Sequence, residues 1–136
     1  MPTMPETSVQ ILLAEDEEMI RHSLLMGLRR AGFHVQGYAN GLLAFEAFQE
    51  SSASLVITDI QMPLLDGVEL VRRIRDLMPE IPVLVMTGYG ECERQQAFQK
   101  LGGCQFISKP FRMENFLSSI REVLSTVIVA QHTQVP

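Results

Sequence analysis

Five times along this chain a short run of apolar residues gives way to a stretch whose apolar residues recur every third or fourth position. Residues 9–14, 55–58 and 83–86 are almost unbroken apolar runs, and residues 106–107 are a shorter one. Such runs predict strands covered on both faces. Residues 34–38 alternate polar with apolar and carry a glycine, which predicts a strand at a sheet edge. Between the runs lie helical patterns. Residues 17–30 present Ile20, Leu24 and Leu28 on one side and stop at Gly32. Residues 42–49 offer Phe45 and Phe48 to a core. Residues 67–78 offer Leu70, Val71, Ile74 and Leu77, with Pro79 and Pro82 bracketing the exit. Residues 91–101 form a weaker pattern, with Ala97, Phe98 and Leu101 on the apolar side and Gly102-Gly103 as the stop. A last helix begins at Met113.

Buried strands alternating with amphipathic helices imply an α/β fold, a doubly wound (βα)5 parallel sheet with helices on both faces, because the crossovers are right-handed. With the second strand at an edge, the strand order 2-1-3-4-5 fits. Ligands of such sheets gather beyond the strands' carboxyl ends, where the winding reverses. A length of 136 residues suits one domain. Its expected extent is 9–126, after a flexible N-terminus at 1–8. Residues 127–136 would be a helix extension or tail, with Val127, Ile128, Val129 and Ala130 continuing the helical run.

With 46% hydrophobic and 20% charged residues the chain reads as a globular protein. Its net charge of -5 and the scatter of its 11 Lys and Arg point to protein partners and away from nucleic acid. Cys92 and Cys104 follow neither a CxxC nor a zinc-ligand spacing, so both should be reduced thiols, with Cys104 buried. Residues 1–8 lack a secretory apolar core and every apolar segment is shorter than a membrane span, so the expected location is the cytoplasm. His34 and His132 read as surface residues, and His22 falls on a helix with no ligand partner at metal spacing. The eight methionines read as adaptable packing.

The chemistry sits at the strand ends. Glu15 and Asp16 follow the first strand and Asp59 ends the third, which is its neighbour in this order. Their carboxylates should converge, and clustered carboxylates resist ionisation unless a cation neutralises them. Magnesium suits such a group, since it needs only one or two protein carboxylates and completes its shell with water and phosphate oxygens. Thr87 and Gly88 end the fourth strand and Lys109 ends the fifth, so a hydroxyl and an ammonium face the acids. A carboxylate nucleophile, a divalent ion and fixed donors are the parts of a phosphoryl-transfer site. Singly, each residue also suits a plain role: acids at a helix start, a loop carboxylate, a turn hydroxyl, a lysine before a turn.

Four motifs in order, Ala14-Glu15-Asp16-Glu17, Thr58-Asp59-Ile60-Gln61-Met62-Pro63 with Asp66-Gly67, Met86-Thr87-Gly88, and Phe106-Ile107-Ser108-Lys109-Pro110-Phe111, give the chain its resemblance to the response-regulator receiver family. The resemblance runs from Val9 to about Leu124 and implies a flavodoxin-like, chemotaxis-regulator-like fold. It implies that Asp59 is the phospho-acceptor, that Glu15 and Asp16 support Mg2+ with Asp59, and that the backbone carbonyl of Gln61 also ligates the ion. Thr87 and Lys109 would contact the phosphoryl group, Phe106 would be the aromatic switch residue, and Lys109-Pro110 would be cis. Gln61 and Tyr89 stand where family members vary in phosphoryl lifetime.

The implied protein is a signalling domain that assists its own phosphorylation and dephosphorylation, and not an enzyme in the usual sense. Its implied partner is a histidine kinase or phosphotransfer protein. A homodimer or an output domain would use the 91–101 helix, the 104–107 strand and the 112–126 helix, without nucleic acid or membrane. No output domain fits after the last helix, so the chain acts alone or belongs to a longer regulator or hybrid kinase. Three other readings share parts of this pattern. A flavodoxin-like redox protein should carry a Ser/Thr/Gly-rich loop where Glu15 to Glu18 stand. A phosphorylation-independent interaction module would not need Asp59, Thr87 and Lys109 together. A phosphohydrolase with an aspartyl intermediate should have an acid where Gln61 stands.

Overall fold

The computed structural model describes residues 9–51, 53–88 and 90–133. Five strands alternate with five helices: β1 Gln10–Ala14, α1 Glu18–Arg30, β2 His34–Tyr38, α2 Gly41–Glu50, β3 Leu55–Asp59, α3 Gly67–Leu77, β4 Val83–Thr87, α4 Cys92–Leu101, β5 Cys104–Ser108 and α5 Met113–Thr133. All pairings are parallel, in the order β2-β1-β3-β4-β5. The expected fold is present. Tyr89, residues 1–8 and the side chains of Cys92 and residues 127–133 lie outside what the structure describes.

The strand period of two divides the core. Leu12, Val56, Val83 and Val85 face one layer with Ala44 and Phe48 of α2, Leu70, Val71 and Ile74 of α3, and Phe98 of α4. Ile11, Leu13, Leu55, Ile57, Leu84 and Met86 face the other, with Leu24 and Leu28 of α1 and Phe116 and Ile120 of α5. Neighbouring residues on a strand point to opposite faces, so an unbroken apolar run is what a sheet covered on both sides requires.

Three expectations change. Leu77 is 57% exposed. It is the last residue of α3, and the C-cap residue Met78 packs partly against the core instead. Phe45 is likewise only partly buried, and Ala44 takes the inward position beside Phe48. Residues 106–107 do not form a strand buried on both faces: β5 is the second sheet edge and its residues, Cys104 included, are half-buried or exposed. Burial still pushes the Cys104 thiol above its ordinary value, with Arg75 acting in the opposite direction.

Gly32 takes a positive φ of 98° just after α1, as its stop role requires. Gly67 matters for a different reason. It opens α3 against the end of β3, where a Cβ would stand 2.2 Å from the Asp59 carbonyl oxygen. Its N–H donates to the Ile60 carbonyl at 2.8 Å, and the Asp66 side chain caps the helix by accepting from the Glu69 N–H at 3.0 Å. Gly67→Ala should therefore displace the backbone that carries Asp59 and lower stability by about 1–3 kcal/mol, the usual cost of overpacking. Urea unfolding of the variant checks this, and unchanged stability would show that the helix start can retreat freely.

Candidate functional site

Strand register gathers the predicted residues on one rim. Ala14 pairs with Thr58, Asp59 with Met86, and Thr87 with Ser108, so Glu15, Asp59, Thr87 and Lys109 lie at nearly one level. Two backbone bonds continue the rim beyond the strands: Glu15 N–H to the Tyr38 carbonyl at 3.0 Å and Lys109 N–H to the Thr87 carbonyl at 2.7 Å. The Lys109-Pro110 bond is cis.

Lys109 is the hub. Its Nζ donates to Glu15 Oε1 at 2.7 Å and to Asp59 Oδ2 at 3.0 Å. The other Asp59 oxygen, Oδ1, accepts from the Ile60 N–H at 3.0 Å. Desolvation raises the Asp59 pKa above its ordinary value, although Lys109 and the Ile60 N–H work against that rise. Burial alone would lower the Lys109 pKa. Hydrogen bonds to Glu15 and Asp59 outweigh that effect and raise it, so the ammonium is held charged.

Glu15 stands in the acidic cluster and is also tied to its neighbours. It is wholly buried, with Oε1 bonded to Lys109 and Oε2 accepting from the Glu17 N–H at 3.0 Å. Arg21 Nη1 reaches the Glu15 carbonyl at 2.9 Å and helps to fix the turn into α1. Asp16 is exposed, and together with Asp59 and Gln61 it lines an open cleft of about 700 Å³. One carboxylate oxygen from each of Glu15, Asp16 and Asp59 lies within 4.8 Å of the others. A hard divalent cation fits this donor set: oxygen ligands from two strand ends, solvent access for its remaining waters, and a single Lys109 ammonium shared between Glu15 and Asp59.

The Thr87 hydroxyl is nearly buried and donates to the Ile107 carbonyl at 3.3 Å. Phe106 is half-buried and meets the fully buried Phe98 of α4 edge to face, with ring centroids 6.2 Å apart. Such a pair links β5 to α4 by direct packing.

Two cleft residues escaped the sequence reading. Glu91 accepts a hydrogen bond from the Gly88 N–H, and Arg94 on α4 lines the cleft and faces Gln61. Both belong to a stretch read as the solvated side of a weak helix. Only the packing of α4 against α3 and β5 brings them to the cleft that the acids line, and no local pattern announces it.

The sequence profile described as "Response regulator receiver domain" matches residues 11–121. Among curated proteins, the chain is 36% identical over 115 residues to the response regulator receiver protein CpdR of Brucella abortus, covering 85% of this chain and 96% of that protein. It is 35% identical to the C4-dicarboxylate transport transcriptional regulatory protein DctD of Rhizobium meliloti, covering 82% of this chain but only 24% of that one. Among solved structures, the Vibrio cholerae chemotaxis protein CheY4 aligns with a TM-score of 0.79 at 27% identity, over 85% of this chain and 98% of that one. A receiver domain protein from Clostridium thermocellum aligns with a TM-score of 0.82 at 25% identity, over 90% and 98% of the two chains.

Proposed function

Because the chain belongs to the response regulator receiver domain family of two-component signalling, we propose that it accepts a phosphoryl group on Asp59 from a histidine kinase or phosphotransfer protein and switches an output surface. The observation that carries this reading is the bridge from Lys109 Nζ to Asp59, at the mouth of a cleft whose walls include Asp16 and Gln61.

A free oxygen lone pair of the Asp59 carboxylate attacks phosphorus. The new bond is Asp59 O–P, and the bond broken is that from phosphorus to the donor's imidazole nitrogen, which leaves with its electron pair. Lys109 keeps the acceptor ionised against its burial and stays close enough to donate to the transferred oxygens. Asp16, Asp59 and the Gln61 backbone carbonyl are the groups that would hold Mg2+, while Glu15 serves mainly to position Lys109. Bound there, Mg2+ supplies positive charge to the phosphoryl oxygens. The same residues assist loss of the group to water, so the domain times its own signal without acting on a separate substrate.

Once the phosphoryl group is in place, the Thr87 hydroxyl leaves the Ile107 carbonyl and donates to it. Phe106 moves into the vacated space, and its contact with Phe98 passes the change to α4. The output face is then α4, β5 and the first turns of α5, offered to a second copy or an output domain. The place of action is the cytoplasm, beside the kinase; among the described residues no helix is long and apolar enough to cross a membrane.

Amide exchange with and without a beryllofluoride phosphate mimic tests the whole reading. Protection should change at Asp59 and across residues 88–112, and only with magnesium present. No change anywhere would overturn it. A change confined to residues 15–17 and 59 would remove the output face.

A further inference from the structure

We infer that Arg94 is a donor-binding residue: a cation held over the acidic cleft that draws an anionic phosphodonor toward Asp59 and competes with the divalent ion. The inference rests on the reading of Asp59 as acceptor and adds to it a residue outside the four motifs.

The cleft is walled by five carboxylates, those of Asp16, Glu17, Asp59, Asp66 and Glu91, against two cations, Lys109 and Arg94. Lys109 is already committed to Glu15 and Asp59. Among the described residues Arg94 forms no ion pair with a carboxylate. Its guanidinium lies instead against the side-chain amide of Gln61, one atom of which is 3.1, 3.2 and 3.2 Å from Nη2, Nε and Nη1, a near-equal spacing that puts it over the face of the planar group and out of line with its N–H bonds. That contact spans the cleft from the loop after Asp59 to α4.

A guanidinium carries its five N–H groups in its own plane, so a contact on its face occupies none of them. Gln61 can therefore hold Arg94 in place and still leave most of its donors for the oxygens of an incoming phosphate, which a guanidinium binds well. The site's other problem is that a dianionic donor must enter between acids. A cation at the entrance offsets part of that repulsion, and being exposed it does so through water, with an effect of modest size. The same positive charge opposes a divalent cation at Asp16 and Asp59. Arg94 thus helps one ligand and hinders the other, and this opposition of signs separates its role from mere structural support.

The test compares wild type, Arg94→Gln and Arg94→Lys by two measurements. Labelling by acetyl phosphate at saturating magnesium should be slowed about three- to tenfold in Arg94→Gln, through a higher half-saturating donor concentration with little change in the maximal rate. Calorimetric titration with magnesium alone should show binding tightened about twofold or more in the same variant. Arg94→Lys should restore both values most of the way. Equal labelling, or weaker labelling together with weaker magnesium binding, would overturn the inference. Failure of the wild type to be labelled at all would instead remove the phospho-acceptor reading; the magnesium titration needs no labelling and judges Arg94 by itself, unchanged or weakened binding counting against it.

Discussion

Lys109→Met is expected to slow phosphorylation of Asp59 by about a hundredfold, the scale of losing one fixed donor to a developing charge, and to destabilise the protein at neutral pH. Lys109 is the shared partner of two carboxylates with little solvent access, its own side chain being 20% exposed and that of Glu15 fully buried. Removing one member of a buried pair costs about 3–5 kcal/mol. Partial exposure of the lysine reduces this to about 2 kcal/mol. The deficit should depend on pH in a defined way. As pH falls, the orphaned Asp59 takes up a proton early, because burial already raises its pKa and the lysine that opposed the rise is gone, and the deficit shrinks. Lys109 has a raised folded pKa, so its contribution is complete below the ordinary lysine value and disappears only as pH climbs through the folded one. The difference between wild type and variant should be largest near neutrality and smaller toward both extremes. Urea unfolding at weakly acidic, neutral and strongly alkaline pH reads it, and a variant as stable as wild type at neutrality would contradict the role given to the Lys109 bridge.

Asp16→Ala should weaken magnesium binding by about tenfold or more, the range seen when a group fixing a metal site is lost. Asp16 is the exposed acid of the cluster, free to turn to an ion, whereas both Glu15 oxygens already have hydrogen-bond partners. Without metal the variant should be no less stable than wild type, since one of several like charges has gone. Titration calorimetry gives the affinity directly. Glu15→Gln is the informative comparison: it should chiefly loosen Lys109 and affect magnesium less than Asp16→Ala does. If Asp16→Ala bound magnesium as wild type does, the ion would have to be held elsewhere.

The sheet was legible because each central strand is covered twice, which forces runs such as Val83 to Met86 to be apolar throughout. The helices were legible where one stripe is buried, as with Leu70, Val71 and Ile74 on α3. The ends were less so. Leu77 looks like core by its spacing, yet it ends α3 and Met78 takes the inward place. β5 read as covered on both faces from its apolar pair alone, although the expected order 2-1-3-4-5 already put it at an edge, where its residues stay half-buried. At the rim, the residue types and their positions at strand ends pointed to Asp59, Asp16, Thr87 and Lys109, and the parallel register brings those strand ends together. Which of Glu15 and Asp16 is buried against Lys109 was not readable, because adjacent acids differ only in which way the chain turns after Ala14. Arg94 was not readable either, since its position over the cleft depends on how α4 docks and not on any motif.

The central claim is that Asp59 itself takes the phosphoryl group. Wild-type protein incubated with acetyl phosphate and magnesium should gain the mass of one phosphoryl group, and peptide mapping after trapping the acyl phosphate should place it on Asp59. Asp59→Asn, which keeps the shape of the side chain and removes the nucleophilic carboxylate, should stay unlabelled under the same conditions. Equal labelling of the two proteins, or a label mapped to Asp16 or Glu15, would contradict the assignment.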